Sequence, residues 1–305
     1  MGYNRYKRLI ILSKNNILRS FLILIKSRKE IIFGITWSTS LATVIAGRGF
    51  PPIYESVLSI FATAMLFSSV YIYNDIIDRE MDAYSDKEKK KGRPIAYDQV
   101  TVKTAYTFMI VTGLLGLVTS YVISMSNLLV AVSFYIVFIL YSYPPVRFKK
   151  MYIIKNVVTA ATIPTALLMG GTAVKGYFAP NILFITGLTY VFMFLILPAG
   201  ADCLDIEEDR AFSIKTIGGT LSWRQNIMLF DAGILILIIV MALTYQRFTF
   251  SYLAPLLITG FGIPLLLYST KLMREDGITA AYKLRPAAYS YLMLVPLFIA
   301  LGSVF

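Results

Sequence analysis

Nine apolar blocks, separated by polar segments, constrain this chain more than anything else in it. They cover residues 31–47, 53–74, 101–123, 127–143, 156–174, 181–201, 226–245, 249–270 and 287–305. Each is close to the ~20 residues that carry a helix across a bilayer. Inside hydrocarbon the backbone must satisfy its own N–H and C=O groups, so such blocks fold as helices. The expected fold class is an all-α membrane protein with nine transmembrane helices. Composition agrees: 57% of the 305 residues are hydrophobic and 15% are charged, against about a quarter charged in soluble domains. Pro51-Pro52, Pro144-Pro145, Pro180 and Pro286 read as turns or span starts. Pro164, Pro198, Pro255, Pro264 and Pro296 fall within or near the ends of spans, where neighbouring helices satisfy the freed carbonyls.

Loop charge orients the bundle. With the N-terminus inside, all but three of the 29 Lys and Arg residues fall on the inner side, leaving Arg48, Lys175 and Arg247 outside. That asymmetry predicts a multi-pass protein of the cell membrane with a cytoplasmic N-terminus and the C-terminus outside. Residues 1–30 are basic, and their apolar patches, 9–12 and 17–25, are too short to span. They are expected to lie along the interface as an amphipathic segment. Residues 31–305 then form a single nine-helix domain.

Two acidic stretches interrupt this pattern. If the second apolar helix continues, Asn74, Asp78 and Asp82 fall at i, i+4 and i+8 on one face, with Asp75 beside them. Like charges so spaced repel and call for a compensating cation. All-oxygen ligands suit Mg²⁺, with Mn²⁺ as a possible substitute. A single such stretch also reads as a solvated helix end. A second one, Asp202, Asp205 and Asp209 at i, i+3 and i+7, closes the sixth block in the same way. Two acidic stripes on one side of the membrane point to a two-sided metal site. Four spans separate them, so their parent helices run the same way. This suggests two pseudo-repeated bundles around a central cavity.

Bases lie close to both stripes: Arg79 and Arg93, then Arg147, Lys149, Lys150 and Lys155, then Arg210 and Lys215. Carboxylates that hold a metal, with bases for phosphate oxygens, suit a magnesium–diphosphate complex whose leaving group gains charge. Lys87, Lys89, Lys90 and Lys91 read instead as anchors to anionic lipid. The absence of His removes His-based triads and His-ligated zinc or haem. The single Cys203 forms no internal disulfide and no thiolate cage, and reads as structural. The net charge of +12 is spread among loops rather than gathered on a soluble module, so no nucleic acid is expected as a partner.

These residues resemble the signatures of the UbiA superfamily of intramembrane prenyltransferases. Its NDxxDxxxD motif followed by Arg-Pro appears as NDIIDREMDA, from Asn74 to Ala83, then Arg93-Pro94. Its DxxDxxxD motif appears as DCLDIEED, from Asp202 to Asp209. The Tyr-and-base stretch after the fourth span appears as Tyr141-Ser142-Tyr143-Pro144-Pro145-Val146-Arg147-Phe148-Lys149, in a form most similar to the chlorophyll-synthase-like and archaeal lipid branches. Lys155-Asn156 stands where that family often carries Gly-Asn.

The resemblance implies Mg²⁺-dependent transfer of a prenyl group from a polyprenyl diphosphate to an aromatic or hydroxyl-bearing lipophilic acceptor within the bilayer. The acceptor is open, with an archaeal ether-lipid phosphate as one alternative. Asn74, Asp78, Asp202 and Asp205 are the expected catalytic centre. Asn74, Asp78 and Asp82 would hold one ion and Asp202, Asp205 and Asp209 a second, with Asp75 behind them. Arg93, Tyr141, Arg147, Lys149 and Lys215 would bind substrate. Tyr71, Tyr73, Tyr141 and Tyr143 are candidates to face an allylic cation through their π clouds. No obligatory protein partner is expected. The rival class is a transporter, whose polar sites would lie near the midplane rather than at helix ends.

Overall fold

The computed structural model describes residues 17–84 and 92–305. Residues 1–16 of the expected interfacial segment and the proposed lipid anchors Lys87, Lys89, Lys90 and Lys91 lie outside the described residues. A short amphipathic helix, α1 (Ile17–Ser27), leads into α2 (Lys29–Ala46), α3 (Ile53–Ile77) and the short α4 (Arg79–Tyr84). Next come α5 (Val102–Ile123), α6 (Met125–Ser142), α7 (Ile154–Ala160) and α8 (Thr162–Lys175). The second half holds α9 (Pro180–Gly200), α10 (Ile206–Ala211), α11 (Ile217–Thr220), α12 (Trp223–Thr244), α13 (Leu253–Leu272) and α14 (Gly277–Val304).

Among the described residues eight helices are long and apolar enough to cross a membrane, with α7 and α8 together forming one of them. The protein is a multi-pass membrane protein. The expected span at 31–47 is the helix α2, which is not among those eight. Its Ser38, Thr39 and Thr43 are buried and donate to backbone carbonyls. A helix packed against α3, α8 and α14 is surrounded by protein and can carry hydroxyls that a lipid-facing helix would not. The last span begins ten residues before the expected 287. Asp276 caps α14 by accepting from the Thr279 N–H, and Pro286 sits inside the helix rather than at its start. In the turn before that proline, the Tyr268 hydroxyl of α13 donates to the Lys283 carbonyl at 3.4 Å and ties the two helices together.

Small residues set the closest helix contacts. A Cβ on Gly170 of α8 would stand 2.2 Å from the Thr39 carbonyl oxygen of α2, and one on Gly116 of α5 would stand 2.6 Å from Leu66 of α3. No side chain fits at either place, so the backbones meet. Asn127 of α6 ties that helix to α8, donating to the Met169 carbonyl (2.7 Å) and the Thr172 hydroxyl (3.0 Å). An aromatic column, Phe67 to Phe134 at 4.1 Å and Phe134 to Phe138 at 4.5 Å between ring centroids, runs through the first half towards Tyr141.

Candidate active site

The C-terminal ends of α3 and α9 meet at one cavity of about 240 Å³. From the first acidic stretch Asn74, Asp78 and Asp82 line it. Its helix is not continuous, because α3 ends at Ile77 and Asp78 takes non-helical dihedrals at the cap. The hydrogen-bond ladder nevertheless carries on, Asp78 N–H to the Asn74 carbonyl at 2.8 Å and Asp82 N–H to the Asp78 carbonyl at 2.7 Å. The i, i+4, i+8 face therefore survives the break. Ser142 of α6 donates to Asn74 Oδ1 at 2.8 Å and fixes the orientation of that amide.

The second stretch departs further from the expected single helical face. The helix α9 stops at Gly200, Asp202–Leu204 forms a 3₁₀ turn, and α10 starts at Ile206. Asp205 and Asp209 line the cavity. Asp202 is instead turned into protein, where Asn156 Nδ2 donates to it at 2.7 Å and the Gly218 N–H at 3.4 Å. A Cβ on Gly218 would stand 2.5 Å from the Asp202 Cβ, so this approach requires glycine.

Cations sit on both stretches. Asp75, 2% exposed, is clamped between Arg28, whose Nε donates at 3.1 Å and whose Nη2 makes a second contact, and Arg93, whose Nη1 donates at 2.6 Å. Arg93 Nε also lies 3.5 Å from Asp82. Lys149 donates to Asp78, and Arg147 approaches the same carboxylate at 3.7 Å. Lys155 bridges the second stretch, 2.9 Å from Asp209 and 3.4 Å from Asp202. Burial is the largest influence on Lys149 and pushes its ammonium down to about 8, with Lys150 adding to the fall. Burial also raises the Asp209 carboxyl, and Lys155 opposes that rise.

Two residues of the loop between α6 and α7 pay conformationally for this arrangement. Arg147 has φ +48° and the β-branched Ile153 has φ +64°. Such left-handed non-glycine residues store roughly 1–3 kcal/mol each and cluster at functional sites. Arg147 Nε is buried without a hydrogen-bond partner among the described residues.

The expected substrate residues divide. Arg93, Tyr141 and Lys149 line the cavity, and Arg147 reaches Asp78 from the loop. Lys215 is exposed and lines neither this cavity nor the bay beside it. Arg79 is directed away, paired with the exposed Asp98 at 2.9 Å. Of the four tyrosines, Tyr71 and Tyr141 line the cavity and Tyr73 and Tyr143 do not. Cys203 is buried and accepts from Asn226 Nδ2 at 3.3 Å. Arg28 is the residue that sequence reasoning missed. It read as one more interfacial base, yet it lines the cavity and lies over the Tyr71 ring at 5.4 Å.

Two further hollows adjoin the central one. A bay of about 600 Å³ shares Arg28, Arg93 and Asp205 with it and adds Lys26, Lys29 and Arg285. An apolar groove of about 310 Å³, lined by Leu129, Phe134, Val137, Leu168 and Phe178, shares Phe138 with it.

Known proteins share this fold. The chain is 29% identical over 250 residues to a 4-hydroxybenzoate octaprenyltransferase of Shewanella loihica, covering 79% of this chain and 81% of that protein. It is 24% identical to a digeranylgeranylglyceryl phosphate synthase of Sulfurisphaera tokodaii, covering 89% and 94%. Among solved structures, one of a digeranylgeranylglyceryl phosphate synthase superposes with a TM-score of 0.75 at 21% identity, covering 94% of this chain and 99% of that one. A UbiA homolog from Archaeoglobus fulgidus, bound to GPP and Mg²⁺, superposes with a TM-score of 0.66 at 15% identity, covering 93% and 99%. The UbiA prenyltransferase family model matches residues 35–300, and the chain belongs to that family.

Proposed function

We propose that the protein transfers a prenyl group from a polyprenyl diphosphate to an anionic, lipophilic acceptor in a Mg²⁺-dependent reaction at the cytoplasmic side of the cell membrane. The observation that carries this reading is the central cavity itself, lined by carboxylates of both acidic motifs and by bases, with an apolar groove that shares Phe138 with it.

The donor set suits Mg²⁺. Asn74, Asp78 and Asp82 on one wall and Asp205 and Asp209 on the other are all oxygen ligands. Among the described residues no three acidic side chains converge on one point. A site of this kind relies on substrate oxygens to complete the shell, as Mg²⁺ bound by one or two carboxylates and a phosphate ordinarily does. When bound, the ion supplies charge neutralisation of the diphosphate.

The chain's own groups do the rest. Lys149 and Arg147 beside Asp78, with Arg93 and Arg28 beside Asp75, meet the diphosphate oxygens and favour its departure with the electron pair of the broken C–O bond. The prenyl tail lies past Phe138 into the groove. The allylic cation left behind faces the rings of Tyr71 and Tyr141, which line the cavity with Phe138. The acceptor's nucleophile then attacks the cation and loses a proton.

The basic bay supports an anionic acceptor. Lys26, Lys29 and Arg285 have no carboxylate partner among the described residues, and the bay opens onto the cavity through Arg28 and Arg93. Both the carboxylate of an aromatic acid and the phosphate of a glyceryl lipid satisfy that chemistry. The test is turnover of purified protein with labelled geranylgeranyl diphosphate, Mg²⁺ and an acceptor panel pairing each anionic acceptor with its neutral ester. Labelled product from anionic acceptors only, abolished by EDTA, is expected. Product from the esters at equal rates would reject the bay as the acceptor site. Undiminished turnover in EDTA would reject the metal reading.

A further inference from the structure

We propose that Lys155 is a built-in cation of the second acidic motif: its ammonium stands between Asp202 and Asp209 in the place of a second divalent ion, so that one ion, not two, binds with each donor diphosphate. The proposal rests on the metal–diphosphate reading above and fixes its stoichiometry.

The geometry is specific. Lys155 Nζ lies 2.9 Å from Asp209 Oδ2 and 3.4 Å from Asp202 Oδ1, within ion-pair distance of both. Its side chain is 14% exposed and it lines the central cavity, so this is no surface pairing. The remaining oxygen of Asp202 is also engaged, accepting from Asn156 Nδ2 at 2.7 Å. Asp202 is thus engaged at both oxygens and does not line the cavity, and Asp209 is engaged at Oδ2. Asp205 also lines the cavity.

Position in the chain explains the placement. Ile153, at φ +64°, turns the chain sharply into α7, and Lys155 and Asn156 are successive residues of its first turn. One strained residue thus delivers both the cation for Asp202 and Asp209 and the amide for Asp202. A divalent ion using Asp202 together with Asp209 would have to displace an ammonium that is covalently tethered and cannot be diluted away. The first motif differs: Lys149 and Arg147 meet one and the same carboxylate there, Asp78, rather than bridging two, and Asn74, Asp78 and Asp82 all line the cavity.

The experiment counts Mn²⁺ bound to detergent-purified protein by electron paramagnetic resonance, with and without a non-hydrolysable geranylgeranyl thiodiphosphate. One thiodiphosphate-dependent Mn²⁺ per chain is expected in the wild type and in Lys155→Arg, and two in Lys155→Met. Two in the wild type would overturn the proposal, as would one in both wild type and a folded Lys155→Met. The wild-type count decides the matter even if Lys155→Met does not fold. No thiodiphosphate-dependent Mn²⁺ in any form would remove the parent reading, and this proposal with it.

Discussion

Replacing Arg28 by Met separates the structural role of that side chain from its role in the site. Asp75 is 2% exposed and depends on two guanidinium groups, Arg28 with a 3.1 Å contact and Arg93 at 2.6 Å. Breaking a buried pair by removing one partner costs about 3–5 kcal/mol. Arg93 remains on Asp75, so the lower end, about 3 kcal/mol, applies. Arg28→Met should therefore unfold at clearly lower temperature in detergent. Adding Asp75→Asn removes the stranded charge and should restore much of that loss, with a coupling energy between the two positions of about 1–3 kcal/mol. Activity should not follow. Arg28 lines the central cavity and the basic bay, and its loss from the substrate side costs about 10²-fold in turnover, whatever happens to Asp75. Thermal unfolding and initial rates on all four proteins complete the cycle. A double variant that regains full activity would make Arg28 purely structural. A single variant as stable as wild type would refute the clamp.

Other outcomes follow from the same geometry. Asp78→Ala and Asp205→Ala should each lower kcat by about 10²-fold or more at saturating donor and metal, measured by diphosphate release. Lys149, held down to about 8 by burial, carries its charge below that pH and loses it above. Donor kcat/KM, which reports the free enzyme, should fall as pH rises through about 8, and Lys149→Arg should move that limb upwards beyond the assay range. Ser133→Trp places a ring in the apolar groove, where Ser133 is exposed and disruption of packing is small. It should reduce kcat/KM for a C20 donor by about tenfold or more while sparing a C5 donor, read by competition between the two.

Much of the architecture was legible because hydropathy is a local signal. Eight of the nine expected spans appear as long apolar helices, and both acidic motifs lie at their ends. Periodicity also placed Asn74, Asp78 and Asp82 on one face, since the ladder survives the break at Asp78. It failed for Asp202, because a 3₁₀ turn follows Gly200 and Asn156 and Gly218 draw the carboxylate inward. Arg28 was invisible for a different reason. Its partner Asp75 is 47 residues away, and no spacing rule connects a base before the first long helix to a carboxylate at the end of the second. Lys215 sits beside the second motif in sequence, yet its side chain is exposed and lines neither hollow, although Gly218 three residues on packs against Asp202. Charge near a motif in sequence thus proved a weaker guide than position in the bundle.

Anomalous diffraction from crystals grown with Mn²⁺ and geranylgeranyl thiodiphosphate tests the central claim most directly. The account predicts density for the diphosphate in the cavity between α3 and α9, with a Mn²⁺ peak at about 2.0–2.3 Å from oxygens of Asp78 or Asp82 and of the diphosphate, facing Asp205. Diphosphate bound elsewhere, or a Mn²⁺ peak that touches neither acidic motif, would contradict it.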